Sequence, residues 1–282
     1  MHSTLISTGE LAARLDDPAL VILDVRHDLA QPDTWGEAQY RAGHIPGARF
    51  AHLDRDLSAP KTGRNGRHPL PTPEVCSALF GRLGIDADRQ VVAYDSGGGM
   101  YAPHVWWMLR WLGHDAVAVL DGGIGKWVRE GRPVTTEIPA VRPVRFAIRH
   151  VRPFLSADDV LARLDAGGMT LIDARGAERY RGDVEPLDPV AGHIPGAVNR
   201  PYTQNVEADG TFKSPEKLRA ELAAVTGSAS PATIVNYCGS GVSACHNLLA
   251  MEIAGIGGTM LYPGSWSEWC ADPARPVARG PA

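Results

Sequence analysis

Residues 233–255 read TIVNYCGSGVSACHNLLAMEIAG. A short β-branched run enters Tyr237 and Cys238, small residues fill 239–243, and an apolar stripe at helical spacing follows. A short apolar run bounded by glycines fits a buried strand, and the stripe fits a helix. Strand, tight turn and helix in that order belong to the α/β class with a mainly parallel sheet. In open α/β sheets ligands bind beyond the carboxyl ends of the strands, and Cys238 stands at such an end. Gly239 and Gly241 let the backbone curl without a Cβ clash. Successive N–H groups in such a curl form an anion nest. The helix starting near Ser243 adds the positive end of its dipole. This field stabilises the thiolate and is expected to lower the thiol's pKa. Cys238 therefore reads as a reactive cysteine whose sulfur, or a sulfur attached to it, is cradled by N–H groups.

The rest of the chain repeats this plan. VILDVR at 21–26 is matched by TLIDAR at 170–175, and RAGHIPGARF at 41–50 by VAGHIPGAVN at 190–199. Asp24 to His44 spans 20 residues, as does Asp173 to His193. VVAYDSGGG at 91–99 stands opposite TIVNYCGSG, and DGGIGKW at 121–127 opposite PGSWSEW at 263–269. Four matched blocks in one order mean two copies of one domain, and the period is far too long for a solenoid. STGELAARL and SADDVLARLDAG open on Ser or Thr before an acidic turn and an apolar stripe, the pattern of a capped helix. The expected fold is two tandem α/β domains, each a mainly parallel central sheet flanked by helices. Their expected bounds are 1–140 and 152–282, with a Pro- and Val-rich linker at 141–151.

The copies differ at the decisive position. Where the second has Cys238, the first has Asp95, and a carboxylate cannot act as a sulfur nucleophile. One copy is armed and the other is not. The spacing excludes two neighbouring chemistries. A cysteine phosphatase places Arg six positions after its cysteine to clamp phosphate, and Ala244 stands there. A phosphate-binding P-loop needs a Lys that neither Gly-rich turn supplies. Cys76, Cys245 and Cys270 read as small buried core residues.

Composition bounds the rest. The chain has 282 residues, 44% hydrophobic and 21% charged, with a net charge of -4. These values fit a globular protein and give no sign of nucleic-acid or membrane binding. The start shows no basic region followed by an apolar core, and the four cysteines are irregularly spaced. The expectation is a reduced, cytoplasmic chain without disulfides. A monomer is expected.

The paired AGHIPGA blocks, the YCGSGVSAC loop and GSWSEW resemble the tandem-domain sulfurtransferases of the rhodanese superfamily. The resemblance covers nearly the whole chain. It implies a catalytic second domain in which Cys238 takes sulfur from a donor, becomes a persulfide and passes the sulfur to a thiol, thioredoxin or cyanide. It implies no metal and no organic cofactor. Thiosulfate-using members carry basic residues just after the cysteine, whereas mercaptopyruvate-using members share Cys-Gly-Ser-Gly-Val with this chain. The neutral loop favours 3-mercaptopyruvate, with thiosulfate as the alternative. A non-catalytic binding module and a sulfur-relay carrier stand behind both. In the mercaptopyruvate subfamily a Ser, an Asp and a His act together, and the matching residues are Ser240, Asp54 and His68. That match would explain why an unarmed first copy is retained, supplying Asp54 and His68 at an interdomain cleft. Arg179 in ERYRGD matches a carboxylate-binding arginine, and Gly239, Gly241, Val242 and Ser243 complete the expected substrate loop. Two departures stand out. Leu187 lies near the place of a second family arginine, for which Arg181 is a candidate substitute. Pro263 replaces the Asp before Gly-Ser-Trp.

Overall fold

A computed structural model describes residues 1–281, so the terminal Ala282 of the expected second domain lies outside the described residues. The chain forms two compact units. The first comprises residues 1–59, 71–152 and 207–212, and the second residues 60–70, 153–206 and 213 onward.

In the first unit the elements are β1 (Leu5–Ile6), α1 (Thr8–Ala12), β2 (Leu20–Asp24), α2 (Trp35–Ala42) and β3 (Ala48–Phe50). They continue with α3 (Pro73–Arg82), β4 (Gln90–Tyr94), α4 (Ala102–Trp111), β5 (Val117–Leu120) and α5 (Gly123–Arg129). The sheet order is β1-β5-β4-β2-β3, and its pairs are parallel. Every residue of β4 is buried. A strand covered on both faces reads as a continuous apolar run, which is why VVAY shows no alternation. Ser7 and Glu10 close a capping box at α1, and Thr72 with Pro73 starts α3.

The second unit repeats the plan with α6 (Ala157–Ala166), β6 (Thr170–Asp173), α7 (Ala177–Arg181), β7 (Val198–Asn199) and α8 (Pro215–Thr226). It ends with β8 (Ile234–Tyr237), α9 (Ala244–Ile253), β9 (Met260–Leu261) and α10 (Ser265–Trp269). Its sheet runs β7-β6-β8-β9, again parallel, with Asp173 opposite Tyr237. Ser156 and Asp159 close the capping box of α6. No helix among the described residues is long and apolar enough to cross a membrane.

The repeated motifs build the same joints in both units. Asp24 holds Arg26 through a 2.6 Å ion pair, and Asp173 holds Arg175 likewise at 2.6 Å. Arg26 donates onward to the Gly43 carbonyl at 2.8 Å and Arg175 to that of Gly192 at 2.7 Å. His44 and His193 each place Nδ1 2.8 Å from a tyrosine carbonyl, Tyr40 and Tyr180, and stack on that tyrosine. These side chains tie the His-Ile-Pro-Gly turn to the sheet. Such a joint serves the fold in a copy with or without the cysteine. Trp127 and Trp269, fully buried, donate to the carbonyls of Pro133 and Pro276, each at 2.8 Å.

One buried group makes the first unit sensitive to acid. Burial pushes the His104 imidazole on α4 down to about 4, against a stabilising bond to the Leu57 backbone. The unfolded chain binds that proton near pH 6.5 and the folded one near 4. The stability contributed by the neutral ring is therefore complete above pH 6.5 and is lost as pH falls toward 4, at a cost of about 3 kcal/mol. Urea unfolding at pH 7 and pH 4.5 should show a smaller acid loss in His104→Gln than in wild type. Equal slopes would remove His104 as the cause.

Candidate active site

The site is built on the end of β8, a strand with all four residues buried. Cys238 follows it, 2% exposed. Its N–H donates to Ser265 Oγ at 3.1 Å, and its carbonyl accepts from the Trp266 N–H at 2.9 Å. The Gly239 carbonyl accepts from the Ser267 N–H at 2.9 Å. The start of α10 thus pins the cysteine's backbone. Ser265 has φ 55°, the one positive value of a non-glycine residue among the described residues. Its hydroxyl, buried, also donates to the Tyr262 carbonyl at 2.9 Å. A backbone held in that region costs about 1–3 kcal/mol, and these bonds offset it. The Gly-Ser-Trp segment is thus a backbone clamp that sequence spacing alone did not reveal.

The loop closes tightly behind Cys238. Gly241 has φ +82°, and a Cβ there would lie 2.2 Å from the Pro263 carbonyl oxygen. Ser240, 7% exposed, places Oγ 2.7 Å from Nδ1 of His68, itself 5% exposed. Val242 and Ser243 are buried, and α9 begins at Ala244, one residue past the expected start.

The unarmed copy shows what such a loop holds. The Asp95 carboxylate, fully buried, accepts from the N–H groups of Gly97 at 3.1 Å, Tyr101 at 2.8 Å and Ala102 at 3.0 Å. The last of these opens α4, so the carboxylate sits at a helix N-terminus. Burial pushes this carboxyl up, against the pull of the amides. The first copy has filled its nest with its own anion.

The other three cysteines are held as thiols by burial. Burial pushes Cys76 up to about 12 and Cys270 up to about 11, and drives Cys245 well above its ordinary value. Cys245 donates to the Gly241 carbonyl at 3.3 Å and so braces the loop.

Two cations reach the loop although its own residues are neutral. A Cβ on Gly239 would lie 2.8 Å from Arg67 Nη2 and 3.4 Å from Arg179 Nη1. Arg179 extends from α7 and pairs with Glu185 at 2.6 Å and Asp188 at 3.2 Å. Arg67 pairs with Asp188 and donates its backbone N–H to Ser267 Oγ at 2.9 Å. Burial pushes the Asp188 carboxyl up, while Arg67 pulls it down. Arg181 instead pairs with Asp183 at 2.7 Å, and Leu187 is 40% exposed.

Arg67 was missed because the stretch 60–70 lies outside the four matched blocks. By sequence it falls in the first copy; by packing it belongs to the second unit. The bonds of Arg67 to Ser267 and Asp188 and of His68 to Ser240 draw it there. Asp54 lies in the first unit, half-buried, with Oδ2 3.7 Å from His27 Nε2.

Two α/β units of one plan, one of them carrying a cysteine in a Gly-rich loop at a strand end where the other carries an aspartate, define a duplicated fold. The Rhodanese-like domain matches residues 7–130 and again 156–272, and the chain belongs to that family. A Pseudomonas aeruginosa protein named as a probable 3-mercaptopyruvate sulfurtransferase is 46% identical over 279 residues, 98% of each chain. A Mycobacterium tuberculosis protein that carries a thiosulfate sulfurtransferase name, SseB, is 42% identical over 99% of this chain and 98% of its own. SseA of Escherichia coli, a 3-mercaptopyruvate sulfotransferase with the rhodanese fold, superposes with a TM-score of 0.80 at 33% identity, covering 93% of this chain and 98% of that one. The chain is an enzyme of the sulfurtransferase class.

Proposed function

We propose that this enzyme takes sulfur from 3-mercaptopyruvate and carries it as a Cys238 persulfide to a small thiol, thioredoxin or cyanide. The observation that carries the reading is the 2.7 Å contact between Ser240 and His68 beside Cys238. The Cys238 thiolate attacks the thiol sulfur of the donor. An S–S bond forms, the C–S bond breaks, and its electron pair leaves on carbon as the pyruvate enolate. That carbanion-like product needs a proton, and in this reading the Ser240–His68 pair delivers it. Asp54 is the third member of this relay on family resemblance. Arg179 and Arg67 hold the donor's carboxylate, in keeping with their approach to Gly239. The acceptor then attacks the outer sulfur and releases the Cys238 thiolate.

The second reading is thiosulfate as donor, and the same two arginines favour it. The donors differ in their leaving group. Sulfite departs with its electron pair and needs no proton, whereas the enolate does. His68→Ala should therefore lower kcat/KM for mercaptopyruvate by about 10²-fold or more and change single-turnover loading by thiosulfate by less than about threefold. Equal losses with both donors would reduce His68 to a structural role. Donor choice itself is read by the sulfur added to reduced wild type in intact mass. Loading by thiosulfate alone would make the second reading the right one.

A further inference from the structure

This inference rests on the mercaptopyruvate reading and concerns what enforces it. Arg67 and Arg179 both face the loop at Gly239. Two unscreened guanidiniums there would suit a dianion such as thiosulfate. They are not unscreened. The Asp188 side chain, 4% exposed, bridges them, one carboxylate oxygen on Arg67 and the other 3.2 Å from Arg179. Glu185, 3% exposed, takes Arg179 at 2.6 Å and Arg175 at 3.2 Å, and Arg175 is also held by Asp173. The connected network beside the loop holds three cations and three carboxylates. Leu187 adds no charge, and Arg181 is paired elsewhere, with Asp183.

We propose that Asp188 is a specificity-determining residue: its buried carboxylate offsets the charge of the Arg67–Arg179 pair, so the site accepts a singly charged donor and disfavours a doubly charged one. Discrimination here comes from a built-in repulsive element, since a dianion must approach a carboxylate already seated on both arginines. Asp188 acts through the arginines and is a positioning residue. The neutral appearance of the Cys238 loop and the two cations at its edge are then consistent.

The test compares wild type, Asp188→Asn and the double variant Arg67→Gln/Asp188→Asn. The readouts are the thiosulfate-to-mercaptopyruvate ratio of kcat/KM, competitive inhibition by sulfate as an unreactive dianion, and thermal unfolding. Asp188→Asn should shift the ratio toward thiosulfate by about tenfold or more and tighten sulfate inhibition by a similar factor. The double variant, whose charge count is that of wild type, should return to within about threefold of the wild-type ratio. Ratios and sulfate inhibition within about twofold of wild type in Asp188→Asn, with mercaptopyruvate still loading Cys238, would overturn the proposal and leave the donor reading standing. Wild type loaded by thiosulfate and not by mercaptopyruvate would instead remove the donor reading, and this proposal with it. If Asp188→Asn does not fold, Arg67→Gln is compared with the double variant: a ratio about tenfold further toward thiosulfate in the double variant supports control by charge, and equal ratios overturn it.

Discussion

Cys238→Ser is expected to abolish sulfur loading and to lower turnover by at least about 10³-fold with either donor, while leaving the fold intact. A serine hydroxyl is nearly the size of a thiol but does not ionise at neutral pH, and it forms no persulfide. The local structure tolerates the change, because the cysteine's backbone, not its sulfur, makes the bonds to Ser265 and Trp266. The measurement is intact mass after incubation with each donor, alongside thermal unfolding. Cys245 supplies an internal control. Its thiol is fully buried, driven well above its ordinary pKa and engaged with the Gly241 carbonyl, so it should carry no donor-derived sulfur. One sulfur atom still added to a folded Cys238→Ser protein would assign the chemistry to another residue and sink the proposed mechanism.

Gly241→Ala should do nearly as much damage by a different route. The position has φ +82°, where an L-residue pays about 1–2 kcal/mol. The new Cβ would also stand 2.2 Å from the Pro263 carbonyl oxygen, a backbone atom that no rotamer change can remove. Either the loop or the 263–265 segment must shift, and Ser265 in that segment holds the Cys238 N–H. We expect a loss of roughly 2–4 kcal/mol in stability and about 10²-fold in kcat/KM, the size of effect a misplacement near 1 Å produces. Gly239→Ala is the contrasting case. There the added Cβ meets the mobile ends of Arg67 and Arg179, which can yield, so stability should change little while donor KM rises. Wild-type stability and turnover in Gly241→Ala would show that the loop does not need its left-handed turn.

The elements that position Cys238 were legible because their signals are local. Apolar runs covered on both faces, Ser and Thr caps and Gly at turns each act within a few residues of themselves. The duplication then doubled every such signal and isolated Cys238 by comparison with Asp95. Arg67, Asp188 and Ser265 were not legible in the same way. Arg67 sits in a loop outside the matched blocks, and its partners Asp188 and Ser267 are far along the chain. The buried state of Asp188 follows from packing, since EPLDP has the composition of an exposed turn. The strain at Ser265 is a backbone angle, which a residue name does not encode.

The amino-acid sequence by itself determined two parallel α/β units and singled out Cys238 in one of them as the proposed nucleophile. Strand and helix formation and the reactivity of a thiol in a Gly-rich turn are properties of neighbouring residues. Only the tertiary structure decided what charge surrounds that thiol. Coulomb energy depends on distance through space, and folding brings Arg67, Arg179, Glu185 and Asp188 together at one loop, whatever their separation along the chain.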